Sequence, residues 1–449
     1  MPQHFTRYKK ALDYIFNLNR KRKVFWEFGF DRMEVVLEKL KNPQDRLKIV
    51  HVAGTKGKGS TVSFLSFILR QSFRTGLFTS PSLINTNERI SINGLLIPPK
   101  EFLKVFNDLI PIYKELPEKL IPSTFETFTI LAFEYFKRKK VDIALFEVGM
   151  GGRLDATNII KHPLVSVITP ISYDHQKALG NTLGEIAYEK AGIIKQGGTI
   201  VVGKQESEAK EVILDVARAR NAQVFLYGKD FYVENIRQED NKTLFDFYSH
   251  ADNISFKDIE IPLLGAHQAE NASISIQTVL LLNKIGIEIP HYVIRDALRK
   301  SFWPGRMEIV EKNPTVVLDG AHNGASALAL NNALKLFSGG RIIFLFGILK
   351  DKNINSVLSV LSHNKNSVFV LTEVPFSHKR RLDVIKLKKY VEQFIPESRI
   401  FYFHDFLKAY QFTRKIAKKE DIICVTGSLY LVSSVRKLTN HFVFSFNIL

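Results

Sequence analysis

Cysteine is nearly absent. One residue, Cys424, in a chain of 449 excludes an internal disulfide framework and a cysteine-ligated zinc site. No apolar run approaches the about 18 residues that a membrane span needs. The opening MPQHFTRYKK has no apolar stretch of the kind a signal peptide carries. Internal repeats and long low-complexity tracts are also missing. The expectation is a soluble, cytoplasmic protein of a reducing compartment. Acidic residues are in deficit, with 45 Asp and Glu against 63 Lys and Arg, a formal net charge of +18. The excess is scattered, apart from short groups such as Arg20–Lys23, Lys137–Lys140 and Lys379–Arg381, whereas a nucleic-acid arm is a longer block. A solvated basic surface accounts for the charge, and so does attraction for anionic small substrates.

What is present is ordinary for a folded protein. Hydrophobic residues make up 45% and charged residues 24%, which excludes a largely disordered chain. At roughly 150 residues per domain the length predicts two or three domains. Strand-like runs alternate with helical patterns throughout. LKIVHVAG (47–54), TGLFTSP (75–81), VDIALFEVG (141–149), PLVSVITPI (163–171) and GGTIVVG (197–203) are short apolar runs, suited to parallel strands buried on both faces. A helix is predicted from Ser60 to about Gln71. Residues 230–261 are more polar and predict an antiparallel excursion before a helix over 269–284. A second alternating series, TVVLDGAHN, RIIFLFG, SVFVLT and DIICVTGS, follows the break at Phe302-Trp303-Pro304-Gly305-Arg306. The fold expected is therefore α/β: a P-loop-type domain over 1–300 with a mainly parallel sheet, and a smaller Rossmann-like α/β domain over 301–449. Ligands of such sheets sit at the C-terminal ends of the strands.

Three clusters lie at such ends. Gly54-Thr55-Lys56-Gly57-Lys58-Gly59-Ser60 stands between a strand and a helix. Its glycines let backbone N–H groups turn toward a phosphate, the helix N-terminus adds positive potential, and Lys58 can reach the terminal phosphates. The standard Walker spacing fails, because position 52 is Val and Ser60 lies two residues after the lysine. Glu147 opens the second cluster, EVGMGGRLDATN (147–158). A carboxylate at a strand end beside a phosphate loop can hold Mg²⁺, or can be a satisfied structural carboxylate. Glycines 149, 151 and 152 permit close approach of a ligand to the backbone. The third cluster is Asp174-His175, followed by Glu189-Lys190-Ala-Gly-Ile-Ile. By themselves His175 reads as structural and Lys190 as solvated; only the order of the clusters along one sheet suggests convergence.

Together with TSPSLINTNERISING (79–94), IAYEKAGIIK, GAHQAENA (265–272), WPGRME, LDGAHN, GILKDK and TGSLYLV, these motifs resemble the folylpolyglutamate synthase/dihydrofolate synthase family of the Mur ligase superfamily over nearly the whole chain. The resemblance implies ATP-dependent ligation of L-glutamate to dihydropteroate, to (tetrahydro)folate polyglutamates, or to both, through an acyl phosphate, with release of ADP and phosphate. It implies ATP binding by Thr55, Lys56, Gly57, Lys58, Gly59, Ser60, Asn271, Arg306 and Asp319. Mg²⁺, as two ions, is implied at Ser80, Glu147, His175 and Lys190, the last as a carbamate, with a monovalent cation such as K⁺ alongside. The pterin-bearing substrate is implied at Phe28, Gly29, Phe30, Asp31, Ser123, Arg153, Leu154, Asp155 and Ala156. His322 and Ser428 fall on the glutamate side, and Lys58, Lys190, Asp319 and His322 are the implied catalytic set. A monomer acting on small molecules, without nucleic acid or membrane partners, is expected. Two positions depart from the family: Ser82 stands where His is usual, and Lys56 where Asn is usual, adding a positive charge beside the phosphates.

The chemistry explains such a residue set. A carboxylate is a poor acylating agent, so ATP must first activate it. Both reacting groups are anionic, and Lys58, Mg²⁺ and Arg306 offset their repulsion. Closure of the second domain would exclude water from the acyl phosphate. Competing readings are a Mur-type ligase of cell-wall precursors, an ATP-dependent nucleic-acid-binding protein, and an inactive family member. EVGMGGRLDATN argues against the first, the scattered charge against the second, and the retained candidate metal and nucleotide residues against the third.

Overall fold

The run IVHVA buries all five of its side chains and becomes β1 (Ile49–Ala53), the inner strand of the larger sheet. In the computed structural model, residues 4–18, 29–239, 242–337, 340–364, 366–375 and 379–439 are described. The first sheet is completed by β2 (Thr75–Phe78), β3 (Ile90–Ile92), β4 (Leu95–Leu96), β5 (Ile143–Glu147), β6 (Val165–Ile168), β7 (Thr199–Val202) and β8 (Gln223–Leu226), in the order β4-β3-β2-β5-β1-β6-β7-β8. Only β2–β3 and β3–β4 pair antiparallel. β3 and β4 are joined by Asn93-Gly94, both with positive φ (50° and 81°), the backbone a two-residue hairpin turn requires.

Helices cover both faces. Val50 and Val52 pack with the helices Lys58–Leu69 and Ala266–Lys284, while Ile49 packs with Phe128 and Phe133 of the helix Thr124–Arg138. The polar 230–261 stretch folds as an antiparallel three-stranded sheet of β9 (Phe231–Glu239), β10 (Lys242–Ser249) and β11 (Ile254–Ile261). Its alternation puts Phe245, Phe247 and Phe256 into the same core as the helix Ala266–Lys284.

The later strands form a separate six-stranded sheet: β12 (Glu308–Glu311), β13 (Thr315–Leu318), β14 (Ile342–Phe346), β15 (Val368–Thr372), β16 (Ile400–Phe403) and β17 (Ile422–Thr426), in the order β12-β13-β17-β14-β15-β16. All pairs are parallel except β12–β13. Several details differ from the sequence expectation, which held no strand at β3, β4 or β8. The phosphate-loop helix starts at Lys58 rather than Ser60, and the short edge strands β12 and β16 join the second series. Among the described residues no helix is long and apolar enough to cross a membrane.

One contact ties the N-terminal helices to this frame. Ser123 and Glu126 cap the helix Thr124–Arg138 reciprocally, with Ser123 N donating to Glu126 Oε2 at 2.6 Å and Glu126 N to Ser123 Oγ at 3.3 Å. The same carboxylate pairs with Arg32 at 2.9 Å, on the helix Asp31–Lys39. Glu126→Ala removes a cap and leaves the Arg32 guanidinium without this carboxylate. We expect a loss of about 2–4 kcal/mol in urea unfolding; a loss below about 0.5 kcal/mol would contradict the tie.

Candidate active site

At the end of β1 the chain enters the phosphate loop through Gly54, at φ 142°; a Cβ there would collide with the Thr169 side chain and approach its carbonyl oxygen to 2.9 Å. Thr55 and Lys56 both donate their amides to Pro170 O at 3.1 Å, and the Thr55 hydroxyl bonds to Ser172 O at 3.1 Å. The loop is thereby laced to the chain after β6. Gly57, at φ 80°, leads into the helix and lies against the Asn271 side chain, so closely that a Cβ would strike its Oδ1. Gly59 meets Trp303 Nε1, which would stand 2.8 Å from an added Cβ, and Ser63 Oγ donates to Phe302 O at 2.8 Å. Ser60 is buried.

Two ammonium groups meet here. Lys58 Nζ and Lys190 Nζ each donate to Gly54 O at 3.0 Å. Lys190 lies in the helix Leu183–Ala191 and is only 4% exposed, which overturns the bland reading of a solvated lysine. Burial, with Lys58 adding to it, brings the Lys190 amine down to a pKa of about 7.

Glu147, at the end of β5, is buried too. Thr79 Oγ1 and Ser80 N, the latter at 3.2 Å, both donate to its Oε2. Burial raises its pKa, while Lys58, these bonds and Arg306 pull it down. Such a carboxylate, beside the Ser80 backbone and facing Lys58 and Arg306, is a hard oxygen donor of the kind Mg²⁺ prefers. His175 has φ 52° and begins the short helix Gln176–Leu179. Partial burial lowers its pKa against the pull of Asp174, and Lys352, Lys190 and Lys58 lower it further.

The 149–158 segment is packed on the helix that carries Lys190. A Cβ on Gly152 would approach Glu189 O to 2.8 Å and Lys190 O to 2.9 Å. Arg153 pairs with Glu189 at 2.8 Å, and Asn158 Nδ2 donates to Arg153 O at 2.9 Å. Asp155 closes the turn, accepting from Met150 N at 3.0 Å and from Thr157 N and Oγ1 at 3.0 and 2.6 Å. Since Thr157 gives its only hydroxyl proton to Asp155, His51 Nε2, 2.8 Å from Thr157 Oγ1, must be the donor there. Ala156 is buried and Leu154 partly so. Gly29, Phe30 and Asp31 stand at the start of the helix that Arg32 joins to the Ser123 cap, so these two parts of the implied pterin site are neighbours through Glu126. Phe28 lies outside the described residues.

The second sheet contributes the rest. Asp319, after β13, accepts Met307 N and Ala321 N, each at 2.9 Å. Burial raises its pKa, opposed first by Arg306. The Arg306 Nη1 lies 2.6 Å from where a Gly320 Cβ would stand. His322 Nδ1 is 2.7 Å from Gly320 O, and burial followed by Lys352 lowers its pKa to about 4, so the ring is neutral with its proton on Nδ1. Ser428 caps the helix Leu429–Arg436, accepting Tyr430 N at 3.2 Å. Lys352 carries the sheets' meeting point: its Nζ lies 3.3 Å from Asp174 Oδ1, and both side chains are largely buried. No role for Lys352 was expected from the sequence, although GILKDK was noted as a motif. Between the sheets, beside Glu147 and Ser80, lies a cavity of about 340 Å³ walled by Phe67, Leu77, Leu83, Trp303 and Leu429, with Arg306 at its polar side.

Two family models match the chain: "Mur ligase middle domain" over residues 118–279 and "Mur ligase, glutamate ligase domain" over 305–429. The chain is 36% identical over 442 residues to a dihydrofolate synthase/folylpolyglutamate synthase of Bacillus subtilis, covering 96% of this chain and 99% of the relative. It is 30% identical to a dihydrofolate synthetase of Saccharomyces cerevisiae, covering 92% and 98%. Among solved structures it resembles Mycobacterium tuberculosis folylpolyglutamate synthase complexed with ADP and AMPPCP (TM-score 0.87, 29% identity, 96% and 99% covered). It also resembles E. coli FolC in complex with DHPP and ADP (TM-score 0.85, 28% identity, 98% and 99% covered).

The His51 chain generates a pH prediction. His51 is fully buried, and burial, aided by Lys195, lowers its pKa from 6.5 to about 3. A depressed histidine pKa means the folded state resists protonation, so stability is complete above pH 6.5 and falls as the pH drops toward 3. His51→Gln keeps a donor for Thr157 but does not titrate. It should shrink the stability lost between pH 7 and pH 5 by about 2 kcal/mol, read by urea unfolding at both pH values; a loss equal to that of the unaltered protein would contradict it.

Proposed function

The chain belongs to the folylpolyglutamate synthase/dihydrofolate synthase family of the Mur ligase superfamily, ATP-dependent ligases that join glutamate to folates or dihydropteroate, and from that membership we propose that it works through an acyl phosphate in the cleft between its two sheets. The observation that carries the reading is the meeting of Lys58 and Lys190 on one carbonyl, beside the buried Glu147 and within electrostatic reach of Arg306. That concentration of cations suits a polyanion. In this proposal residues 1–300 hold ATP and the pterin-bearing substrate, and residues 301–449 bring the glutamate side.

The roles follow from charge. Backbone amides of 57–60 and the Lys58 ammonium hold the phosphates, Asn271 borders the nucleotide, and Arg306 and Asp319 reach it from the second sheet. Ser80, Glu147, His175 and a carbamate on Lys190 would hold Mg²⁺, which would supply further positive charge on the phosphates. A neutral Lys190 amine adds to CO₂ and releases one proton, leaving an anionic carbamate. A carboxylate oxygen of the pterin-bearing substrate then attacks the γ-phosphorus, ADP leaves, and an acyl phosphate remains. Glutamate's amine attacks the acyl carbon, and phosphate departs. His322 orients the amine: with Nδ1–H tied to Gly320, Nε2 carries a lone pair that accepts a hydrogen bond from it, and the departing phosphate takes the proton. The Lys352–Asp174 bridge and Trp303 on Gly59 hold the sheets together and keep water from the acyl phosphate.

ADP release measured with glutamate plus either dihydropteroate or tetrahydrofolate tests this. Turnover should require glutamate and at least one of the two acceptors; turnover only with a cell-wall precursor would refute it. Lys58→Ala should cut ADP formation by about 10²–10³-fold with the fold intact, and near-normal turnover would remove the phosphate-loop assignment. Lys190→Ala should lose activity that acetate or formate in the buffer partly restores, and full activity without rescue would remove the carbamate.

A further inference from the structure

Arg306 is the cation that the second sheet contributes to the proposed nucleotide site, yet it sits in a three-residue turn that a chain would not adopt unaided. Gly305 has φ 69° and Met307 has φ 45°, so both neighbours of Arg306 are left-handed, and Met307 pays a steric penalty there. A carboxylate holds each side of the turn. Gly305 N donates to Glu308 Oε2 at 2.8 Å, and Met307 N donates to Asp319 Oδ2 at 2.9 Å.

Asp319 is already part of the proposed site; Glu308 is not. Its carboxylate is 5% exposed and meets Arg436, 6% exposed, whose Nε lies 2.9 and 3.0 Å from the two oxygens. Arg436 ends the helix Leu429–Arg436, which Ser428 begins, and Val432 of that helix would stand 3.3 Å from a Cβ on Gly305. One buried carboxylate therefore joins the turn bearing Arg306 to the helix bearing Ser428.

We propose that Glu308 is a positioning residue that fixes Arg306 on the nucleotide and, through Arg436, couples that position to the glutamate side of the site. The inference rests on the assignment of Arg306 to ATP and of Ser428 to glutamate. A buried ion pair stripped of one partner is strongly destabilising, whereas replacing both partners by apolar side chains of similar size is often tolerated. The informative variant is therefore the double exchange Glu308→Leu with Arg436→Met, measured beside Glu308→Gln and Arg306→Ala.

Binding of a β,γ-methylene ATP analogue is read by calorimetry, the three KM values by ADP release, and folding by thermal melting. The double variant should melt within a few degrees of the unaltered protein. It should bind the analogue about tenfold more weakly and raise KM for ATP and glutamate, with KM for the pterin substrate within twofold. A purely structural role would move the melting temperature or all three KM values together, and would overturn the proposal. If the double variant does not fold, Glu308→Gln carries the same thresholds. Weak binding by Arg306→Ala with unchanged binding by the Glu308 variants overturns the coupling alone. Unchanged binding by Arg306→Ala overturns the assignment of Arg306, and the coupling falls with it.

Discussion

Two ammonium groups that approach the chain from different directions share the carbonyl oxygen of Gly54. Like charges in a low-dielectric pocket repel, and the repulsion has two outlets: an anion enters, or one amine loses its charge. Burial first, and Lys58 after it, bring the Lys190 pKa to about 7, which opens the second outlet; in the proposed function ATP phosphates supply the first. Much else in the site serves this point. Gly54 must curl against Thr169, the loop is tied to Pro170 and Ser172, and the 149–158 turn presses its glycines against the helix that delivers Lys190.

The same site depends on two sheets meeting. Trp303 over Gly59, Ser63 on Phe302 and Lys352 on Asp174 are among the contacts that join them. The three span different chemistries: an aromatic ring against a glycine, a hydrogen bond, and an ion pair. An ion pair at a junction is the adjustable one, because a competing carboxylate can exchange for Asp174. The rigid part is the aromatic contact, where only glycine leaves room for the ring.

Much of this was legible in the sequence. Continuous apolar runs announced β1, β5, β6 and, in the second sheet, β13, β14, β15 and β17, because both faces of a parallel sheet are covered. The turn from strand to helix over 54–60 was legible from its glycines even though the Walker spacing fails. β12 and β16 were missed because four-residue edge strands carry too little pattern, and the Asn93-Gly94 hairpin was passed over although its turn signal is explicit. The meeting of Lys190 with Gly54 was not readable from local pattern: 136 positions separate them, and the lysine alone looks like any helical surface residue. The Lys352–Asp174 pair spans 178 positions and was invisible for the same reason. Glu308 sat inside the quoted WPGRME motif without a role, since its partner Arg436 lies on a helix at the far end of the chain. Spacing reveals what one element does; convergence belongs to the fold.

The central claim is that a substrate carboxylate is activated by phosphoryl transfer at this meeting of cations. An acceptor pterin carrying ¹⁸O in both carboxylate oxygens tests it most directly, with glutamate, ATP and the protein in a single incubation and the inorganic phosphate analysed by mass spectrometry. Passage through an acyl phosphate delivers one labelled oxygen to each phosphate and leaves the other in the new amide. Unlabelled phosphate, formed at the same rate as the amide product, would contradict the account.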